Sequence, residues 1–339
     1  MMEKNQEKSG LKKGTTGSVE MEQKHPLKEE NGIYDGKKEA GKKAESSAPQ
    51  KKTGTGGGRE NRVKMADLVA LQKKAGWLGD RKGPDKMAEL IALHRVAESS
   101  LPEGRRIFFD PYAIRFIDPD VLEWGRTHPE DAKALAEEFN KKMPGFSNSI
   151  RARVRYFDDS VRDAAGLGFS QLVILGAGYD TRAYRIDTVR DRIRVFEVDH
   201  PVTQRKKTET LARIFNGMPE NVVFVPVELE REDLWDAMEW YGYSPVEKTL
   251  FLMEGLLMYL SREYVRDLLS GIVEHTIDGS AILFDFLPRS LAEENHDAEG
   301  GKEILDYTVM AGEPLRSGFS DAEIIAFLSG LGYSRVKIT

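Results

Sequence analysis

The chain has 339 residues, 40% of them hydrophobic, enough for one large domain with extensions or for two domains. Lys and Arg number 50 against 56 Asp and Glu, and the net charge of −6 speaks against a cationic nucleic-acid binder. Cysteine is absent, which excludes disulfides, thiolate metal sites and cysteine nucleophiles, and the six histidines stand at no metal-ligand spacing.

Residues 1–62 are mostly Lys, Glu, Gly, Ser, Thr and Gln, and the stretch closes on Lys51-Lys52-Thr53-Gly54-Thr55-Gly56-Gly57-Gly58. Such a composition cannot bury enough apolar area to offset the entropy of ordering, so it predicts a disordered tail. Its 14 basic and 10 acidic residues leave open a weak contact with an acidic partner or a plain solvated tail. The Met-Met-Glu-Lys start lacks the apolar core of a secretory signal, and no apolar run nears the roughly 18–20 residues of a membrane span. A soluble, cytoplasmic protein is expected.

Helical patterning begins at Met65, Leu68, Val69 and Gln72, and recurs at Met87, Leu90, Ile91, His94 and Ala97. Asp110-Pro111-Tyr112 reads as a loop leading into a short helix through Phe116. Longer helices are predicted from Pro129 to Lys142 and from Ser147 to Ala165. Residues 63–150 thus read as a helical lid.

From residue 170 the pattern turns to alternation. Gln171–Leu175, Ile193–Val198, Val222–Val227, Thr249–Met253 and Ala281–Phe286 are short apolar runs. Helical stretches at Thr203–Phe215, Arg231–Glu239 and Arg262–His275 separate most of them. Continuous apolar strands joined by helices predict a mostly parallel sheet covered on both faces, a doubly wound α/β, Rossmann-like core over 151–339.

The first run passes into Gly176-Ala177-Gly178-Tyr179-Asp180-Thr181-Arg182. A strand ending in Gly-x-Gly lets backbone pass close under a ligand at the carboxyl edge of the sheet. A tight turn without a ligand is the plainer alternative. The dinucleotide fingerprint would continue to a third glycine and receive a pyrophosphate, whereas here Asp180 would repel one. A ligand with a cationic end suits the turn better, and S-adenosyl-L-methionine carries a sulfonium and an ammonium but no phosphate.

The second run ends Phe196-Glu197-Val198-Asp199-His200-Pro201. Asp199 stands where an acidic residue takes ribose hydroxyls in nucleotide-binding βαβ units, or it caps the helix opened by Pro201. Glu197 shares its strand parity and reads equally as a structural hydrogen-bond acceptor. After the third run, Glu228 could accept from an adenine amino group with Leu229 against the ring, or lie exposed. Glu254 interrupts an apolar run and needs a partner, a cationic ligand or an arginine. Asp285 is similar and weaker. Of Arg151, Arg153 and Arg155, helical spacing lets one face a ligand carboxylate. Arg95 is a further candidate, and His94 reads as a packed core histidine.

Taken together, Asp110-Pro111-Tyr112-Ala113, Arg151-Ala152-Arg153-Val154, Leu175 through Arg182, Phe196 through Pro201, Glu254-Gly255-Leu256-Leu257-Met258-Tyr259-Leu260 and Gly312-Glu313-Pro314-Leu315-Arg316 resemble the leucine carboxyl methyltransferase family, in its polyketide-type O-methyltransferase branch. The resemblance implies a class I S-adenosylmethionine-dependent methyltransferase. It implies Arg153 at the methionyl carboxylate, Gly176, Ala177 and Gly178 along the cofactor, and Asp199 on the ribose. It further implies Glu228 and Leu229 at the adenine, Glu254 on the ammonium side, and Arg95 loosely near a basic contact. Two departures stand out: the adenine-side acid is usually Asp, and the family's final antiparallel strand has no counterpart before Thr339.

The expected reaction is methyl transfer to a carboxylate or hydroxyl oxygen of a small-molecule or protein acceptor. A carboxylate needs no base, whereas a hydroxyl needs one within reach, for which Tyr259 and His200 are the nearby candidates. A non-catalytic cofactor-binding or scaffold protein is the alternative of a different class.

Overall fold

In the computed structural model, which describes residues 85–292 and 301–339, five short strands pair into one sheet. They are β1 (Gln171–Leu175), β2 (Arg194–Asp199), β3 (Val222–Pro226), β4 (Thr249–Met253) and β5 (Ala281–Phe284), in the order β3-β2-β1-β4-β5. Every pairing is parallel, with Val173 opposite Phe196 on one side and Phe251 on the other. The expected tail and the helix around Met65 lie outside the described residues.

The sheet is doubly wound because alternate residues of each strand face opposite layers. Leu172, Ile174, Val195, Leu250 and Leu252 pack one way, against Phe157, Val161, Ala183, Tyr184 and Leu211. Val173, Leu175, Phe196, Phe251 and Met253 pack the other way, against Leu234, Met238, Val265, Leu268 and Leu269. β1 and β4 are buried at every position; beyond their polar first residues, Gln171 and Thr249, which hydrogen-bond each other at 2.9 Å, both strands are wholly apolar.

Helices α1 (Lys86–Ser99), α2 (Pro119–Thr127), α3 (Pro129–Lys142) and α4 (Phe146–Gly166) precede the sheet. α4 buries Ile150, Val154, Phe157, Val161 and Ala164 along one stripe and leads into β1. The short helix expected after Pro111 is a 3-10 turn, Ala113–Phe116, because the Asp110 carboxylate accepts the N–H groups of Tyr112 and Ala113, each at 3.0 Å. Between the strands lie α5 (Arg182–Arg185), α6 (Asp187–Arg192), α7 (Pro201–Phe215), α8 (Leu234–Trp240) and α9 (Arg262–Glu274). α8 starts three residues later than Arg231 because Asp233 caps it, accepting from the N–H groups of Trp235 and Asp236.

After β5 come α10 (Arg289–Ala292), α11 (Gly301–Ala311) and α12 (Asp321–Leu331), none of which the sequence marked clearly. α12 opens on a capping box between Ser320 and Glu323 and closes on Gly332 at φ +102°. Among the described residues no strand runs antiparallel. Val336 and Ile338 instead pack against the same apolar cluster that Ile282 and Phe284 of β5 border. No described helix is long and apolar enough to cross a membrane.

Candidate functional site

Strand order reverses between β1 and β4, and the crevice beyond their carboxyl ends is where an open α/β sheet binds ligands. From β1, Gly176 and Gly178 take φ of +64° and +44°, with Ala177 N–H held by Val198 O at 3.0 Å. A Cβ on Gly176 would stand 2.8 Å from Leu256 Cδ1, on the loop after β4. Two turns from opposite sides of the switch thus come into contact across a bare α-carbon.

Asp180 does not present an unopposed charge to this crevice, as its sequence position suggested. It pairs with Arg182 two residues on, and although burial opposes ionisation, Arg182 and Lys207 hold its pKa down to about 2. Arg182 is buried and also reaches Asp158 of α4 at 2.8 Å and Glu254 at 2.7 Å. Asp158 takes Arg185 at 2.6 Å as well. Burial works against the charge on Arg182, but Asp180, Glu254 and Asp158 outweigh it and its pKa stands well above the ordinary arginine value.

The Glu254 partner left open by the sequence is therefore arginine, twice over. Arg153 Nε meets Glu254 at 2.9 Å and its Nη1 meets Asp285, at the end of β5, at 2.8 Å. Asp285 also accepts the Gly255 N–H at 2.6 Å. Despite burial, Arg182 and Arg153 lower the Glu254 pKa. Arg153 Nη2 has no partner among the described residues. Of its neighbours, Arg151 pairs with Glu98 at 3.3 Å, and Arg155 is exposed beside Asp159.

Asp199 closes the crevice from β2. Its carboxylate accepts the Gly178 N–H and, at 2.6 Å, the His200 N–H. The cap considered for Asp199 belongs to His200, whose Nδ1 takes the Val202 N–H at the start of α7. Burial raises the Asp199 pKa, with the Gly178 N–H working against it. Glu197 takes the structural role: it is fully buried, bonded by Tyr184 Oη at 2.6 Å and paired with buried Lys207 at 2.6 Å.

Several of these residues line one cavity of about 1600 Å³. Its wall includes Arg95, Arg153, Gly176, Ala177, Gly178, Asp180, Asp199, Glu254 and Asp285, but neither Glu228 nor Leu229. Glu228 is engaged by Arg231 at 2.7 Å and His200 Nε2 at 3.5 Å. Arg95 is buried, bonding Tyr179 O at 2.6 Å and Asp110 at 3.4 Å, so it ties α1 to the β1 turn. His94 packs on Phe139 and Phe146, as a core histidine should.

The sequence missed the roles of Arg182 and Asp158. Arg182 had a visible signal, an arginine two residues after the turn aspartate. Asp158, buried on an otherwise apolar stripe, offered one too. The wall suits a ligand with two cationic centres and one carboxylate: bare glycines admit its body, Arg153 keeps a free nitrogen, and the carboxylates outnumber what the arginines neutralise locally. S-adenosylmethionine has that charge pattern.

Comparison with known proteins agrees with this chemistry. Residues 88–273 match the family profile described as leucine carboxyl methyltransferase. The chain is 32% identical over 219 residues to the provisionally named S-adenosyl-L-methionine-dependent methyltransferase YktD of Bacillus subtilis, covering 65% of this chain and 70% of that protein. It is 37% identical over 242 residues to a provisionally named S-adenosyl-L-methionine-dependent methyltransferase of Mycolicibacterium smegmatis, covering 68% and 78%.

Proposed function

The chain belongs to the leucine carboxyl methyltransferase family and is an S-adenosylmethionine-dependent methyltransferase, and we propose that it methylates an oxygen, carboxylate or hydroxyl, of its acceptor. The observation that carries the reading is the switch-point cavity. At about 1600 Å³ it exceeds the roughly 300–1,000 Å³ of most small-ligand sites, which gives room for an acceptor beside the methyl donor. The oxygen is read from the family resemblance.

In this proposal Arg153 holds the methionyl carboxylate through its unpartnered nitrogen, and Glu254 lies on the ammonium side. Gly176, Ala177 and Gly178 line the donor and Asp199 takes the ribose hydroxyls; Glu228 and Leu229, which do not line the cavity, would reach the adenine only from beyond its wall. The donor supplies a methyl group on a sulfonium sulfur. The chain's own task is then to align the acceptor oxygen with that methyl and to exclude water.

Calorimetric titration with S-adenosylhomocysteine, followed by labelled-methyl transfer to matched carboxylic acids, phenols and amines, tests the reading. Transfer to oxygen acceptors is expected. Transfer to amines alone would sink it.

A further inference from the structure

The segment Gly312-Glu313-Pro314-Leu315-Arg316 stood out in the sequence and has no role in the cofactor site above. It folds back over the strand ends and is fastened at both sides. Gly312 takes φ +85°, Glu313 N–H donates to Thr308 O at 2.9 Å, and Pro314 keeps Glu313 out of the helical region. Beyond it, the N–H groups of Arg316 and Ser317 donate to Met258 O at 2.7 and 3.2 Å, and Ser317 Oγ to Leu257 O at 2.7 Å. The loop is thereby stapled to the 3-10 turn Leu257–Tyr259 that follows β4 and its Glu254.

This support places the Glu313 carboxylate in the cavity wall with Met87, Tyr259, Tyr307 and Asp199. Its two oxygens differ. Oε1 accepts the Met87 N–H of α1 at 3.2 Å, which orients the group, while Oε2 has no protein partner among the described residues. The charged groups facing it are Asp199 from the end of β2 and Asp85 ahead of α1, the latter paired with Lys206 of α7. Tyr259 and Tyr307, whose own pKa values burial raises, face it as neutral phenols. Burial above all, then Asp199 and Asp85, push the Glu313 carboxyl up to about 7 against the pull of the Met87 N–H. A group that exchanges its proton near neutral pH is matched to base catalysis.

We propose that Glu313 is the general base of the methyl transfer and that the acceptor is a hydroxyl compound, an alcohol or phenol, rather than a carboxylic acid. The inference rests on the oxygen-methylation reading and narrows it. A carboxylate acceptor would bring another negative charge to a wall that already holds Asp199 and Glu313, and it would leave a base without work. A hydroxyl is neutral on entry and becomes a strong nucleophile only as it loses its proton. As it reacts, its O–H bond breaks and the proton passes to Glu313 Oε2. The oxygen's electron pair forms the bond to the methyl carbon, and the carbon–sulfur bond breaks with its pair left on sulfur. Glu313 then releases the proton to water.

Glu313→Gln separates this role from mere support of α1, because an amide oxygen still accepts the Met87 N–H but takes up no proton. The experiment uses the full chain with labelled S-adenosylmethionine and matched phenols, alcohols, carboxylic acids and amines between pH 5.5 and 9. S-adenosylhomocysteine affinity is measured by calorimetry, and carboxyl titration by infrared difference spectroscopy. The wild type is expected to methylate hydroxyl compounds, with a rate rising about tenfold per pH unit below about 7 and level above. Glu313→Gln is expected to lose about 100-fold or more of that rate, together with the acid limb and the carboxyl band titrating near 7, and to keep its affinity for S-adenosylhomocysteine. Four results would overturn the proposal: transfer confined to carboxylic acids, no transfer to any hydroxyl, a near-wild-type rate in the variant, or loss of S-adenosylhomocysteine binding in it. Transfer to amines alone would instead remove the oxygen reading beneath it.

Discussion

Arg182 and Glu254 meet at 2.7 Å, Nη2 to an Oε oxygen, and this contact joins the turn after β1 to the end of β4 across the switch point. Because Arg182 is 2% exposed and holds Asp158 and Asp180 as well, it is the electrostatic centre of the crevice floor.

Removing that centre leaves three carboxylates near one another without their shared cation. Arg182→Met is expected to lose about 3–5 kcal/mol of stability, read as a shifted urea midpoint. Arg182→Lys keeps a charge but not the fork that serves several acids at once, and an intermediate loss is expected. A methionine variant as stable as the wild type would show that the pairs cancel against their desolvation.

Gly176 is constrained twice, by φ +64° and by Leu256 Cδ1 at 2.8 Å from any added Cβ. Gly176→Ala should cost about 1–3 kcal/mol and weaken S-adenosylhomocysteine binding at least tenfold. Adding Leu256→Ala removes the clash but not the backbone strain, so calorimetry should find partial recovery. Full recovery would mean the left-handed geometry carries no cost here.

Asp199 binds two backbone N–H groups and also lines the cavity. Asp199→Ala should lower stability by about 1–3 kcal/mol, since both donors lose their acceptor. It should reduce S-adenosylhomocysteine affinity by about 100-fold, a loss equivalent to roughly 2.7 kcal/mol. Retained affinity in a folded variant would remove Asp199 from the proposed ribose contact.

His94 should make the protein acid-sensitive. Burial first, then Arg151 and Arg153, push its pKa down from 6.5 to about 4, so the folded state refuses a proton the unfolded chain accepts. The stability it contributes is complete above 6.5 and is lost as pH falls towards 4. Between pH 6.5 and 5 the loss amounts to about 2 kcal/mol. His94→Phe should flatten that limb in urea titrations at each pH, and an unchanged slope would place the acid sensitivity elsewhere.

Much of the fold was legible along the chain. β1 and β4 match their apolar runs, Gln171–Leu175 and Thr249–Met253, residue for residue, because strands buried on both faces admit no polar interruption. Gly176, Gly178 and Asp199 were legible for a local reason: a bare α-carbon at a strand end and an acid one strand later are backbone requirements written within a few residues. Glu254 stood out as a charge inside an apolar run.

Other features emerge only when the sheet is assembled. Arg153 sits 132 residues from Asp285, and Met87 sits 226 from the Glu313 that receives its N–H. Neither pairing has a local signature, since an arginine on a helix or a glutamate in a loop is solvated in most proteins. Strand order decides them. By setting β4 between β1 and β5, the fold brings Glu254 and Asp285 side by side under Arg153. The loop stapled behind β4 lowers Glu313 into the same cavity. Sequence fixes what backbone and burial demand locally; which charges share a low-dielectric crevice is settled by the crossing of distant segments, where partners are chosen by proximity in space.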